Sequence, residues 1–189
     1  LVMTGIVCIL MGCGVPTTAT YIIMVTIAAP ALGLLGVAPI VAHFFVFYYG
    51  VLADVTPPVA VAAYAAASMA GADPFKTGNT AFRLALAKAL VPFIFVFSPA
   101  LLIVVPEFNW PDFLLTFAGC IVSITFLGAA LSSYLLAPMA IWERIWLAIA
   151  AVPAMASGAT PLLASVALSL PVVGYQLWQM RRRAHAAEG

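Results

Sequence analysis

Eight apolar runs, separated by proline and glycine and nearly free of charge, fix the solvent in which this chain can fold. In coarse helical terms they are Val2 to Met11, Thr17 to Ala29, Ile40 to Ala53, Val59 to Ala70, Ala89 to Val105, Phe113 to Leu136, Ile141 to Ser157 and Pro161 to Met180. The last four reach or approach the ~20 residues that cross a hydrocarbon core at ~1.5 Å per residue; the first four are too short to span singly. Composition points the same way. Hydrophobic residues make up 66% of the 189 and charged ones 7%, with mean hydropathy +1.19, whereas soluble domains run at about half and about a quarter. The predicted class is an all-α membrane protein.

Other classes fall away on the same reading. A net charge of +1 offers no basic field for nucleic acid. Cys8, Cys13 and Cys120 sit in apolar stretches at no metal-ligand spacing, and three cysteines make no disulfide framework. They read as small packing residues. The apolar pattern is already running at Val2, with no basic n-region before it, so whatever inserts the chain is expected upstream.

The few charges give an orientation, because short cytoplasmic loops collect Lys and Arg. Lys76, Arg83 and Lys88 mark one side, Glu107 and Asp112 the other, Arg144 the first side again, and Arg181, Arg182 and Arg183 follow the last span. The parity predicts a cytoplasmic C-terminus. Within the most polar stretch, Asp73 before Pro74 is an N-cap followed by proline at the first helical position. Lys76, Asn79, Thr80 and Arg83 then share one face, and Phe75, Phe82 and Leu86 turn elsewhere, which predicts an amphipathic helix at the membrane interface over 74–88.

Two breaks in the apolar pattern are the functional candidates, since lipid cannot satisfy freed backbone groups and such breaks must be buried in protein or line a wet cavity. At the first, Gly12 and Gly14 can end one arm with its carbonyls exposed, and Pro16, Thr17 and Thr18 start the next with its N–H groups directed back. At the second, Thr56 can N-cap a new arm while Pro57 and Pro58 occupy its first turn. A carbonyl-rich helix end beside an N–H-rich helix start can hold a cation and a carboxylate together. A pair of ligand-free proline kinks is the plain alternative.

Asp54 is the one formally charged residue between Leu1 and Ala72, and it abuts the second break. It reads as a cation ligand, a proton carrier or a partner of helix N-termini, or as a carboxylate that only holds the turn. His43, in an apolar run without a second ligand at metal spacing, reads as a packed, hydrogen-bonded histidine. Phe44, Phe45, Phe47, Tyr48 and Tyr49 cover every face of their helix and read as packing or lipid contact.

The motifs GCGVPTTATYI, GVLADVTPPVA and GADPFKTG, at these separations, resemble the C-terminal half of the fused permease subunit of TRAP transporters, especially the branch paired with TAXI-type periplasmic binding proteins. The resemblance runs from the N-terminus to Leu102; the spans beyond it, with the turn APMAIWERIW, look like the less distinctive tail of fused members. It implies an elevator-type transporter in the bacterial inner membrane, built from two inverted repeats that each carry a re-entrant hairpin and a broken helix. Residues 1–105 would then be the C-terminal repeat, with hairpin 1–29, broken helix 38–70, interfacial helix 74–88 and span 89–105; residues 106–189 would be a transmembrane tail, so that about four further transmembrane helices follow the hairpin and broken helix.

On that resemblance Gly12, Gly14, Pro16, Thr17 and Thr18 at the hairpin tip, with Asp54, Thr56, Pro57 and Pro58 at the broken helix, would bind substrate and ion. The implied partners are a periplasmic substrate-binding protein, an organic acid, the upstream half of the same permease and the lipid bilayer. Sodium or a proton would be the coupling ion, and no cofactor is implied. Rival readings are an ion channel, a structural membrane subunit and, least favoured, an intramembrane enzyme. No GxSxG, no HExxH and no acid recognised as a partner for Asp54 supports the last.

Overall fold

The computed structural model describes residues 1–103 and 108–187, with side chains as far as Arg181. Glu107, the end of the span drawn to Val105, and the side chains of Arg182 and Arg183 lie outside the described residues. The described residues form α1 (Val2–Gly12), α2 (Thr17–Leu34), α3 (Pro39–Ala53), α4 (Val61–Ala70), α5 (Pro74–Lys88), α6 (Val91–Phe97), α7 (Trp110–Ser132), α8 (Ile141–Ala151) and α9 (Ala159–Ala187). Short 3₁₀ turns stand at Pro99–Leu101 and Pro153–Met155. The chain divides into two compact units, Leu1–Leu102 and Ile103–Gly189.

In the first unit α3 is the centre, packed by α1, α2 and α6. Its aromatic run explains why: Phe45 and Tyr49 point inward, while Phe44 and Phe47 stay exposed on the outer side. α2 buries Thr20, Met24, Ala28 and Leu32, a stripe spaced by four that keeps one side of the helix on α3. Thr17 meets Asp54 and Tyr21 meets Phe47, so α2 runs antiparallel to α3. Phe93 packs on Phe45 and Tyr49, and the Tyr49 hydroxyl donates to the Ala89 carbonyl at 2.7 Å, tying α3 to the α5–α6 junction.

Two sequence expectations change here. α2 runs past Ala29 and through Pro30 to Leu34, so this arm is itself long and apolar enough to span. A proline removes one hydrogen bond and kinks a helix, but it need not end one whose side face is packed. Among the described residues of the span expected over 89–105, the α-helix runs from Val91 to Phe97, and Pro74–Phe97 together form one candidate span. Ala89 and Leu90 keep right-handed helical backbone, so the polar helix and the apolar one are joined by a tightened turn rather than a loop. The predicted N-cap is present: the Asp73 carboxylate accepts the Lys76 N–H at 2.8 Å.

In the second unit α7, α8 and α9 pack around Leu147, Ala129, Met139 and Val172. The helix expected over 141–157 stops at Ala151, because Pro153 cannot supply an N–H and the chain tightens into a 3₁₀ turn. The carbonyls orphaned at that end are taken by serines: Ser165 donates to Ala150 at 2.6 Å and Ser123 to Ala151 at 3.1 Å. Four helices of the described residues are long and apolar enough to cross a membrane: Thr17–Leu34, Pro74–Phe97, Trp110–Ser132 and Ala159–Arg181. Two of them lie in the tail, and the eleven-residue α8 between them is shorter than the run drawn for it.

Candidate functional site at the paired helix breaks

The two breaks meet. α1 ends at Gly12 and α2 begins at Thr17, while α3 ends at Ala53 and α4 begins at Val61. Gly12 sits tightly against the end of α3: a Cβ there would stand 2.6 Å from the Ala53 Cβ and 3.1 Å from Thr20 Cγ2. Only glycine lets the end of α1 lie against the end of α3. Gly14 turns the tip with φ +80°, a conformation most side chains resist, and faces Val59 of the second break.

The bond that joins the breaks runs from the Thr17 hydroxyl to Asp54 Oδ2, at 2.8 Å across 37 residues of sequence. Asp54 is the C-cap of α3, and Thr17 is the first residue of α2. The carboxylate therefore sits at a helix N-terminus, where the unpaired N–H groups and the helix dipole favour negative charge. Gly14, Val15, Pro16, Thr17, Asp54, Val61 and Ala62 line a cavity of about 460 Å³ at this point. It is a largely apolar space with one half-buried carboxylate in its wall.

The other sequence candidates divide. Pro16 lines the cavity, but Thr18 is exposed and is not among the lining residues. Thr56 is buried and does not cap α4: its hydroxyl turns back to the Leu52 carbonyl at 2.9 Å, one turn earlier in α3. Pro57 and Pro58, joined by a cis peptide bond, precede α4 rather than forming its first turn. The physical reason is the compact loop between the arms. Ala60 N–H donates to the Thr56 carbonyl and Ala62 N–H to the Asp54 carbonyl, and Ala60 takes φ +35° before α4 can start at Val61. The Tyr64 hydroxyl then holds the Pro58 carbonyl at 2.9 Å.

Thr20 was missed by the sequence reading. It is 2% exposed, its methyl lies near Gly50, and its hydroxyl donates to the Val15 carbonyl at the tip. Periodicity carried the signal, since Thr20 leads the α2 stripe of Met24, Ala28 and Leu32 and Thr18 does not belong to it. His43 makes a hydrogen bond between its Nδ1 and the Tyr21 hydroxyl at 2.7 Å. It borders a second cavity of about 520 Å³ with Tyr21, Pro39, Ile40, Phe44 and Phe47, which has shape but no charged group. Among the described residues no group of three or more His, Cys, Asp or Glu could hold a metal ion.

Four helices long and apolar enough to span among the described residues, and two helix breaks, between α1 and α2 and between α3 and α4, that meet at a carboxylate-lined cavity, define a polytopic all-α membrane protein. The chain belongs to the DctM family: the family described as Tripartite ATP-independent periplasmic transporter, DctM component, matches residues 1–110 of the 189. That match covers both breaks and places the chain among the membrane permease components of TRAP transporters. No curated protein and no solved structure matches it.

Proposed function

We propose that the paired breaks are one half of a transport site that carries an organic acid across the bacterial inner membrane, driven by a sodium or proton gradient. The Thr17–Asp54 bond supports this reading most directly, because it brings the start of α2 and the end of α3 to one cavity. The α2 N-terminus is suited to a substrate carboxylate, and Asp54 with the nearby carbonyl ends is suited to a cation. A periplasmic binding protein, of the TAXI type, delivers the acid, and the upstream half of the same permease supplies the facing half of the site. The first unit, Leu1–Leu102, then moves relative to a fixed scaffold in an elevator cycle. The C-terminus faces the cytoplasm, and no covalent chemistry is involved.

The test is initial uptake by the full-length permease reconstituted with its binding protein, against sodium concentration and pH. Asp54→Asn should change the ion dependence, while Thr17→Val should weaken apparent substrate or ion affinity. Unchanged rates and ion dependence in both, with Ser132→Ala as the tail control, would sink the site assignment.

A further inference from the structure

The second unit holds a carboxylate that the paired-break site does not use. Glu143 and Gln176 are each 0% exposed, on α8 and α9. The Ala137 N–H donates to Gln176 Oε1 at 2.9 Å, Gln176 Nε2 donates to Glu143 Oε1 at 2.5 Å, and the Ala140 N–H donates to Glu143 Oε2 at 2.5 Å. The order of these bonds is forced. A backbone N–H can only donate, so Ala137 decides which end of the Gln176 amide it meets, and the NH₂ end is left facing Glu143. Both oxygens of Glu143 then receive hydrogens, as an acceptor-only carboxylate does.

We infer that Glu143 and Gln176 are a directional polar lock, a positioning pair that fastens the turn between α7 and α8 onto α9. Three features support it. Glu143 is the third residue of α8 and reaches back to the N-cap N–H, so its charge also meets the N-terminal end of the helix dipole. Next along, Arg144 takes the opposite direction: its Nε donates at 2.8 Å to the Ala130 carbonyl near the end of α7, where positive charge is favoured. The adjacent acid and base thus bind α8 to both of its neighbours. In lipid, moreover, apolar burial drives helices together weakly, and hydrogen bonds between helices set which surfaces meet. An eleven-residue α8 carrying both charges depends on those partners to remain in place.

The lock concerns the second unit alone, so it stands or falls independently of the transport reading. Its directionality gives a test that a general packing role would fail. In the full-length permease, Glu143→Gln sets two NH₂ groups face to face and Gln176→Glu sets two carboxylates face to face. The exchanged pair, Glu143→Gln with Gln176→Glu, restores every donor to an acceptor. The new amide on α8 would accept from the Ala140 N–H and donate to the new carboxylate on α9, which would accept from the Ala137 N–H. We expect each single variant to shorten the half-life of the folded protein in detergent at elevated temperature by about tenfold. The double variant should return to within about twofold of the parent, a coupling that adjacent groups in one network show. Should a single variant fail to accumulate, recovery of yield in the double variant carries the same meaning. Two neutral single variants, or a double variant no better than the worse single one, would overturn the lock.

Discussion

Gly12 shows how much one residue can decide. Its missing side chain is the condition for the ends of α1 and α3 to lie this close, since a Cβ would stand 2.6 Å from that of Ala53. Gly12→Ala should therefore cost about 1–3 kcal/mol by overpacking, seen as a lower unfolding temperature of the full-length protein in detergent. Thr17 and Thr18 are neighbours in sequence with opposite prospects. Thr17→Val removes the hydrogen bond to Asp54 and should cost on the order of 1.5 kcal/mol, whereas Thr18→Ala on the exposed side should stay within about 0.5 kcal/mol. Equal effects of the two changes on uptake and on thermal stability would contradict this geometry. The sequence made the glycines and Asp54 visible as candidates. It did not separate Thr17 from Thr18, because that depends on which side of α2 meets α3.

Among the elements, the broken helix and the α5–α6 junction show local chemistry yielding to packing. Thr56, followed by two prolines, has the composition of a helix start, yet its hydroxyl is committed to the carbonyl of Leu52. Helix α4 waits until Val61 instead. By contrast Asp73 does what its local sequence says, because the loop before α5 leaves its carboxylate free to receive the Lys76 N–H. Asp73→Ala should cost about 1 kcal/mol and raise amide exchange in the first turn of α5, measured by hydrogen–deuterium exchange. Tyr49→Phe should loosen the junction, because the Ala89 carbonyl loses its hydroxyl donor. The expected cost is about 1 kcal/mol, with faster exchange confined to residues around the junction.

At the scale of the whole chain, the placement of arginine after an apolar helix predicts that a reporter fused after Met180 lies in the cytoplasm. A fluorescent-protein fusion should glow and an alkaline phosphatase fusion should be inactive; the reverse pattern would invert the topology. Transport should also fail when these 189 residues are expressed alone, because the facing half of the proposed site would be missing. Gradient-dependent uptake above background from this chain alone would refute that division of labour.

Membrane residence, helical class and the positions of both breaks follow from the sequence itself. They rest on local quantities: apolar run length, the missing N–H of proline, the backbone freedom of glycine, and the scarcity of charge. The meeting of Thr17 with Asp54 across 37 residues, the inward turn of Thr20, and the reversal of Thr56 follow only from the tertiary structure. So does the burial of Glu143, which in sequence sits beside Arg144 and looks like an ordinary charged turn. Which side chain finds a distant partner depends on the angle and rotation at which helices pack, and no single apolar run encodes those alone.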